Sequence, residues 1–264
     1  MNDYFATKII GKLSITLVLL SVAFTPMRAQ FRNSFSWGIE TGGNFYSTGL
    51  QDPSVIRRDI DHYNYDDGST SGNVNTSASS FYMGLKGETL FFNMIGISSG
   101  IRFSRLYTKM DTDWDWYSED FFYYLFRQSE TNTEYLKIKK LSQTSAYLGV
   151  PVEFRFFPYR ASFVRLYFKM GGDVNFRLSS VNRANFVSSN MQKYEKELFE
   201  DMETKPSSVY SNIYGGIGLR FGKEIRPKVN VEMMYVQPLS DKVSSLVRMN
   251  EGLNLQLTVQ IPFR

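Results

Sequence analysis

From residue 31 onward the chain repeatedly alternates apolar and polar side chains with a period of two, which an extended strand turns into two chemically different faces. The final segment is the cleanest, with Leu253, Leu255, Leu257, Val259, Ile261 and Phe263 on one side and Asn254, Gln256, Thr258 and Gln260 on the other. Over 162–180, Val164, Leu166, Phe168, Met170, Val174, Phe176 and Leu178 oppose Arg165, Tyr167, Lys169, Gly171, Asp173, Asn175 and Arg177. The same rhythm predicts strands over 95–110, 145–157 and 208–222, and in weaker form over 35–46, 80–92 and 229–239. Eight strands in one domain are expected.

The connections between them sort by length. Tight turns are expected near Asn93-Met94, across 158–161 and across 223–228, whereas 47–79, 111–144, 181–207 and the shorter 241–251 are loops. Antiparallel strands send every second connection to the same end, so all short turns fall at one rim and all long loops at the other. Transmembrane barrels have that asymmetry, with short periplasmic turns and longer extracellular loops. A soluble sandwich is the rival reading, and there the apolar faces would meet in a dry centre.

Glycine helps to choose between them. Gly38, Gly42, Gly84, Gly96, Gly100, Gly149, Gly171, Gly216 and Gly218 recur on the polar faces together with Tyr82, Tyr147, Tyr167 and Tyr214. A water-exposed strand face has no use for so much glycine, whereas a narrow interior must alternate small and large groups. The expected fold class is therefore all-β, an antiparallel transmembrane β-barrel of about eight strands. Its interior would hold a charge network of Glu40, Lys86, Glu88, Arg102, Glu153, Arg155, Arg165, Lys169, Asp173, Arg177, Arg220 and Glu232. Structural packing is the preferred reading of these charges, and a selectivity ring or proton path the alternative. Trp37, Phe45, Tyr46, Phe91, Phe92, Tyr107, Phe157 and Phe263 fit interfacial aromatic girdles.

The first thirty residues read as a secretory signal: Lys8 and Lys12, an apolar run from Leu13 to Phe24, then Thr25-Pro-Met-Arg-Ala-Gln30. Residues 1–29 are the expected signal peptide and 30–264 the barrel, which would lie in the outer membrane. Cysteine is absent, which excludes a disulfide framework, thiolate chemistry and a lipidated N-terminus. The net charge of +4 is mild and its basic residues are scattered, so a nucleic-acid partner is not expected.

Ala29-Gln30, the stretch Tyr147-Leu-Gly-Val-Pro-Val-Glu-Phe-Arg-Phe-Phe157, the stretch Gly215-Gly-Ile-Gly-Leu-Arg-Phe221 and an aromatic-bearing last strand give the chain its family likeness. It resembles the PorT-type outer-membrane β-barrel family of Bacteroidetes over roughly residues 31–264. The resemblance implies fold and location, and for some members assistance to a secretion system. It brings no catalytic signature and no cofactor.

Catalytic chemistry finds little to stand on. The one histidine, His62, sits among Asp59, Asp61, Asp66 and Asp67 in a polar loop, where a solvated role is preferred over a lipid-modifying or calcium site. No metal or cofactor is expected. The second long loop is densely aromatic, and Trp114, Trp116, Tyr117, Phe121, Phe122, Tyr123 and Tyr124 are candidate loop-binding residues. The alternative is that the flanking strands continue there as a packed hairpin. A short surface helix is expected within 190–203. The expected function is a non-enzymatic barrel that contacts outer-membrane lipid and binds envelope or secretion proteins through its loops; a narrow pore and a lipid-modifying enzyme are the alternatives.

Overall fold

The computed structural model describes residues 34–52, 55–57, 74–112, 121–127, 133–159, 163–201, 206–223, 226–240 and 242–263. The 1–29 leader, His62 and its four aspartates lie outside the described residues. Among the described residues ten strands occur in chain order: β1 (Ser34–Leu50), β2 (Ile56–Arg57), β3 (Val74–Phe91), β4 (Ile95–Thr112), β5 (Phe122–Arg127), β6 (Thr133–Phe156), β7 (Val164–Phe186), β8 (Val209–Phe221), β9 (Lys228–Pro238) and β10 (Val247–Pro262). Between β7 and β8 lie a 3-10 turn, Ser189–Tyr194, and a short helix α1, Glu195–Asp201.

Eight of these strands close a ring. β1 pairs with β3, β3 with β4, β4 with β6, β6 with β7, and so on through β8, β9 and β10, which returns to β1, every pairing antiparallel. Closure gives the backbone donors and acceptors of both terminal strands a partner, so the sheet has no open edge along the wall. The wall strands coincide with the eight alternating segments of the sequence.

The turns at 92–94, 157–163 and 222–227 share one rim with both ends of the ring, where Ser36 faces Pro262. In the first turn Phe92 and Asn93 both have positive φ and Met94 N–H donates to Phe91 O, which matches the primed turns that follow strand twist. The longer connections lie at the opposite rim.

The wall is apolar outside and polar inside. Leu166, Phe168, Leu255 and Leu257 are each 40% exposed or more, while Arg165 and Lys169 are buried. A dry centre made of the apolar faces, as in a sandwich, is excluded. Between outward-facing Trp37 and Phe45 the strand runs about 26 Å, or about 20 Å after a tilt near 40°, which approaches the apolar band of a transmembrane barrel. Phe35, Trp37, Phe92, Phe163 and Phe263 ring the short-turn rim, and Phe45, Tyr107 and Tyr235 mark the upper edge of the band. Two expected girdle residues point the other way: Tyr46 and Phe157 are buried in the lumen, because their strand parity places them inside.

Above the band the chain departs from expectation. β6 and β7 continue far beyond the segments read from alternation, and β5 adds to the projecting end of β6, with β2 beside it. In that projection the sidedness reverses. Leu106 and Met110 of β4, Leu136, Ile138 and Leu141 of β6, and Val247 and Met249 of β10 are all inside, with Lys109, Ser142 and Arg248 outside. Water bathes the outer surface there, so the apolar groups gather within.

Leu257 stands midway along the outward row of β10. Leu257→Arg should cost about 2–4 kcal/mol in lipid-vesicle refolding titrations, the range for a cation facing mid-bilayer lipid. An unchanged midpoint would contradict a lipid-facing wall.

Candidate functional site

Strand parity sends one charged or polar side chain inward at every second residue, and across the ring these converge on a narrow centre. Glu153 on β6 is the hub. Its carboxylate lies 2.7 Å from Lys86 Nζ, 2.9 Å from Lys169 Nζ, 2.9 Å from Arg155 Nη2 and 3.3 Å from Arg102 Nη2. Arg102 extends the network upward, with Nε 2.8 Å from Glu40 and Nη1 3.2 Å from Asp173. Arg155 extends it downward to Glu88 and to Glu232, which also meets Lys169 Nζ at 2.6 Å and accepts from the Tyr167 hydroxyl. Glu88 is met by Arg220 Nη2 at 2.7 Å.

Five carboxylates are thus linked through shared cations, and neutral amides finish the job: Gln256 Nε2 donates to Glu40 at 2.8 Å and Gln260 Nε2 to Glu88 at 3.2 Å. Desolvated charges cost several kcal/mol each unless paired and hydrogen-bonded, so such a network holds only when it is nearly complete.

Eleven of the twelve charged residues expected in the lumen are buried there. Arg177 is half-buried, and its guanidinium donates to the carbonyl of Pro206, beneath the third loop. Lys228 is an addition: it is buried as the first residue of β9, one place before the segment read as a strand, on the inward parity of Asn230 and Glu232.

Tyrosine and glycine share the same space by direct cross-strand pairing. Tyr82 faces Gly42, Tyr167 faces Gly218 and Tyr214 faces Gly171. A methyl group at Gly42 would stand 2.5 Å from the Tyr82 hydroxyl, and one at Gly171 2.9 Å from Cε2 of Tyr214. Each ring therefore lies flat across its glycine. Arg102 stacks over Tyr82 at 4.1 Å, which adds a cation–π contact to a group already holding three carboxylates.

Described residues pack into both ends of the lumen. At the short-turn end Leu90, Phe157 and Tyr167 pack together, with Arg220 4.5 Å above the Phe157 ring. At the long-loop end the segment 242–246 folds inward rather than over the top. Val243 and Leu246 join the apolar cluster of the upper lumen, and Ser244 and Ser245 are buried beside them. Gln143 on β6 fastens the segment: its amide donates to Ser245 Oγ at 2.5 Å, while its carbonyl accepts from Ser244 Oγ at 2.9 Å and from Ser245 N–H at 3.2 Å. Thr108 Oγ1 is 3.0 Å from Ser244 Oγ. The expected loop over 241–251 is thus partly a lumen plug, for which the uncharged Val243-Ser-Ser-Leu-Val247 is suited.

The aromatic candidates divide. Trp114, Trp116 and Tyr117 lie outside the described residues. Phe122 and Tyr124 point into the upper cluster and are buried, because β5 is a packed strand and alternate residues of it turn inward. They are not offered to a partner, and Tyr123, on the other face of β5, is buried as well. Phe121 remains partly exposed, its ring 5.4 Å from that of Tyr123 and 4.9 Å from Lys137 Nζ. The expected surface helix is present as the 3-10 turn and α1. Leu198 anchors it in the cluster, and the Glu195 carboxylate accepts from Ala184 N–H at 2.8 Å. Among the described residues no group of three or more histidines or carboxylates is placed to hold a metal ion, and no helix is long and apolar enough to cross a membrane.

No protein-family model matches the sequence, and neither does any curated protein. Solved structures with a similar course include the outer-membrane protein OprG of Pseudomonas aeruginosa, at 10% identity over 87% of this chain and 93% of that one, with a TM-score of 0.37. Ail of Yersinia pestis, crystallised with the heparin analogue sucrose octasulfate, is 13% identical over 89% of this chain and all of that one, TM-score 0.30. The translocator domain of the autotransporter NalP of Neisseria meningitidis is 6% identical over 98% of each chain, TM-score 0.31. The fold of the present chain stands on its own strand pairing.

Glu153→Ala would leave Lys86, Arg102, Arg155 and Lys169 facing one another with one carboxylate fewer. A loss of about 3–5 kcal/mol is expected in urea titrations of the refolded barrel, the cost of breaking a buried ion network by removing one partner. A loss below about 1 kcal/mol, the ceiling for most exposed pairs, would mean that water reaches these charges.

Proposed function

We propose that this chain is an integral bacterial outer-membrane protein that neither conducts nor catalyses, and that its long-loop end is a docking platform for other envelope or secretion proteins. The observation that carries the reading is the filled lumen. A pore needs a continuous wetted path, and here a hub of shared ion pairs occupies the middle while Phe157 and the 242–246 segment occupy the ends. The apolar wall supports membrane insertion, and closure of the ring meets the demand that no backbone group face hydrocarbon unpaired.

The platform reading rests on how the loop end is built. β5, β2, α1 and the 242–246 segment pack on a shared apolar cluster, so the projection is a small folded body above the wall. Rigid projections of this kind suit protein recognition, and the likeness of strands β6 and β8 to PorT-type barrels supports an accessory role in export. Phe121 and Tyr135, grouped around Lys137 with the buried Tyr123 ring between them, are the aromatic surface on that body.

Two measurements test the proposal. Refolded protein in planar lipid bilayers should show no discrete current steps, whereas Glu153→Ala combined with Arg155→Ala and Lys169→Ala should admit ions; steps from the unaltered protein would overturn the non-conducting reading. A photo-crosslinker placed at Tyr135 should capture a discrete envelope protein in intact cells and lose it on Phe121→Ala. Capture of lipid alone would count against the platform.

A further inference from the structure

Charges on the outer wall are confined to its upper part and are unevenly distributed around it. Among the described residues, β1, β3, β8 and β9 turn no charged side chain outward along the wall. On β10 the outward Arg248 is balanced by Glu251. The neighbouring strands β4, β6 and β7 differ: Arg105 and Lys109 of β4, Lys140 of β6 and Arg183 of β7 all lie on the outer face.

Strand register gathers them. Lys109 is opposite Ser142, and Ser142 is opposite Arg183, so the two cations sit two strands apart on one cross-strand row, roughly 10 Å between backbones. Two residues higher, Lys140 is opposite Asp111, and its Nζ stands 5.9 Å over the Tyr107 ring. Arg105 is two residues below Tyr107 on the same face. Asp111, the acidic neighbour, is held by Lys109 Nζ at 2.7 Å and offsets one cation of four.

The height of this cluster decides what it meets. Tyr107, 37% exposed, and Val181 mark the last apolar row on these strands, and the cations flank it. Long basic side chains at that level extend toward the headgroups while their methylenes stay on the apolar wall. Hydroxyl and amide groups from Ser142, Thr144 and Asn185 lie between them on the same face and can donate to phosphate oxygens.

We propose that this patch binds the phosphorylated headgroup of an outer-leaflet glycolipid, with Arg105, Lys109, Lys140 and Arg183 as the phosphate-pairing residues. The inference rests on the membrane-spanning reading and deepens it by naming a lipid and a side of the barrel. A bound glycolipid would fix which rim of the barrel lies in the phosphate-rich leaflet.

The test uses the full chain refolded into phosphatidylcholine nanodiscs containing either a diphosphorylated glucosamine-disaccharide glycolipid or the same glycolipid stripped of phosphate. Retained glycolipid is counted by native mass spectrometry. The unaltered protein should keep the phosphorylated form at least about tenfold better than the stripped form, and Arg105→Gln, Lys109→Gln, Lys140→Gln and Arg183→Gln together should abolish the difference. Arg248→Gln on the opposite wall should leave it intact. Equal retention of the two glycolipids, equal retention by the fourfold variant, or full displacement by millimolar inorganic phosphate would each overturn the proposal. Heat-dependent migration on gels verifies folding separately, and if the fourfold variant loses it, Lys140→Gln with Arg183→Gln should still weaken the preference severalfold. Failure of the unaltered protein to enter nanodiscs would refute the membrane reading itself, a result distinguishable from loss of headgroup preference.

Discussion

The pairing of β1 with β10 is the contact on which the rest depends. An open antiparallel sheet of eight strands would present two rows of unpaired amides, and in hydrocarbon each of them would cost several kcal/mol. Joining the last strand to the first removes both rows at once. It also forces a choice of sides, since a closed sheet has one face turned to a narrow centre and the other to whatever surrounds it. Which face takes which role follows from side-chain size and polarity, and the glycines opposite Tyr82, Tyr167 and Tyr214 show the inner face being fitted to a small bore.

Once the polar faces are inside, their charges have no water to retreat to. The arrangement answers with redundancy: Arg102 and Arg155 each reach three carboxylates, and Glu153 receives four cations. No single pair is isolated, and shared partners hold strands distant in sequence at one height. The centre therefore acts as an internal brace for a wall whose outer surface, facing fluid lipid, gains no such specificity from its surroundings.

The eight wall strands were legible in the sequence because lipid on one side and a polar bore on the other sustain one phase of alternation along their whole crossing. Even Arg165 and Lys169 fell on the right side for that reason. The same signal failed where the surroundings changed. Above Tyr107 the outside is headgroups and water and the inside is apolar, so Leu141 belongs to the opposite phase from the outward Leu148 and Val152 of the same strand, while Leu136 and Ile138 share their parity and reach the inside only through the irregular register near residue 139. A reader following one phase sees the pattern stop and assigns a loop. β5 was hidden likewise, its aromatic run serving a buried cluster. The uncharged 243–247 stretch marks a segment fit for burial, but its place in the lumen depends on Gln143, about a hundred positions away, which no local pattern specifies.

β6 and β7 run for 24 and 23 residues, whereas β9, two strands on from β7, has 11. At about 3.3 Å per residue the difference is some 40 Å of strand. The parapet is therefore high over one arc and low over the other, and β5 thickens it on the high side. Viewed from outside, the molecule has a front and a back. The barrel, though round in cross-section, therefore stands at different heights on different bearings in the plane of its bilayer.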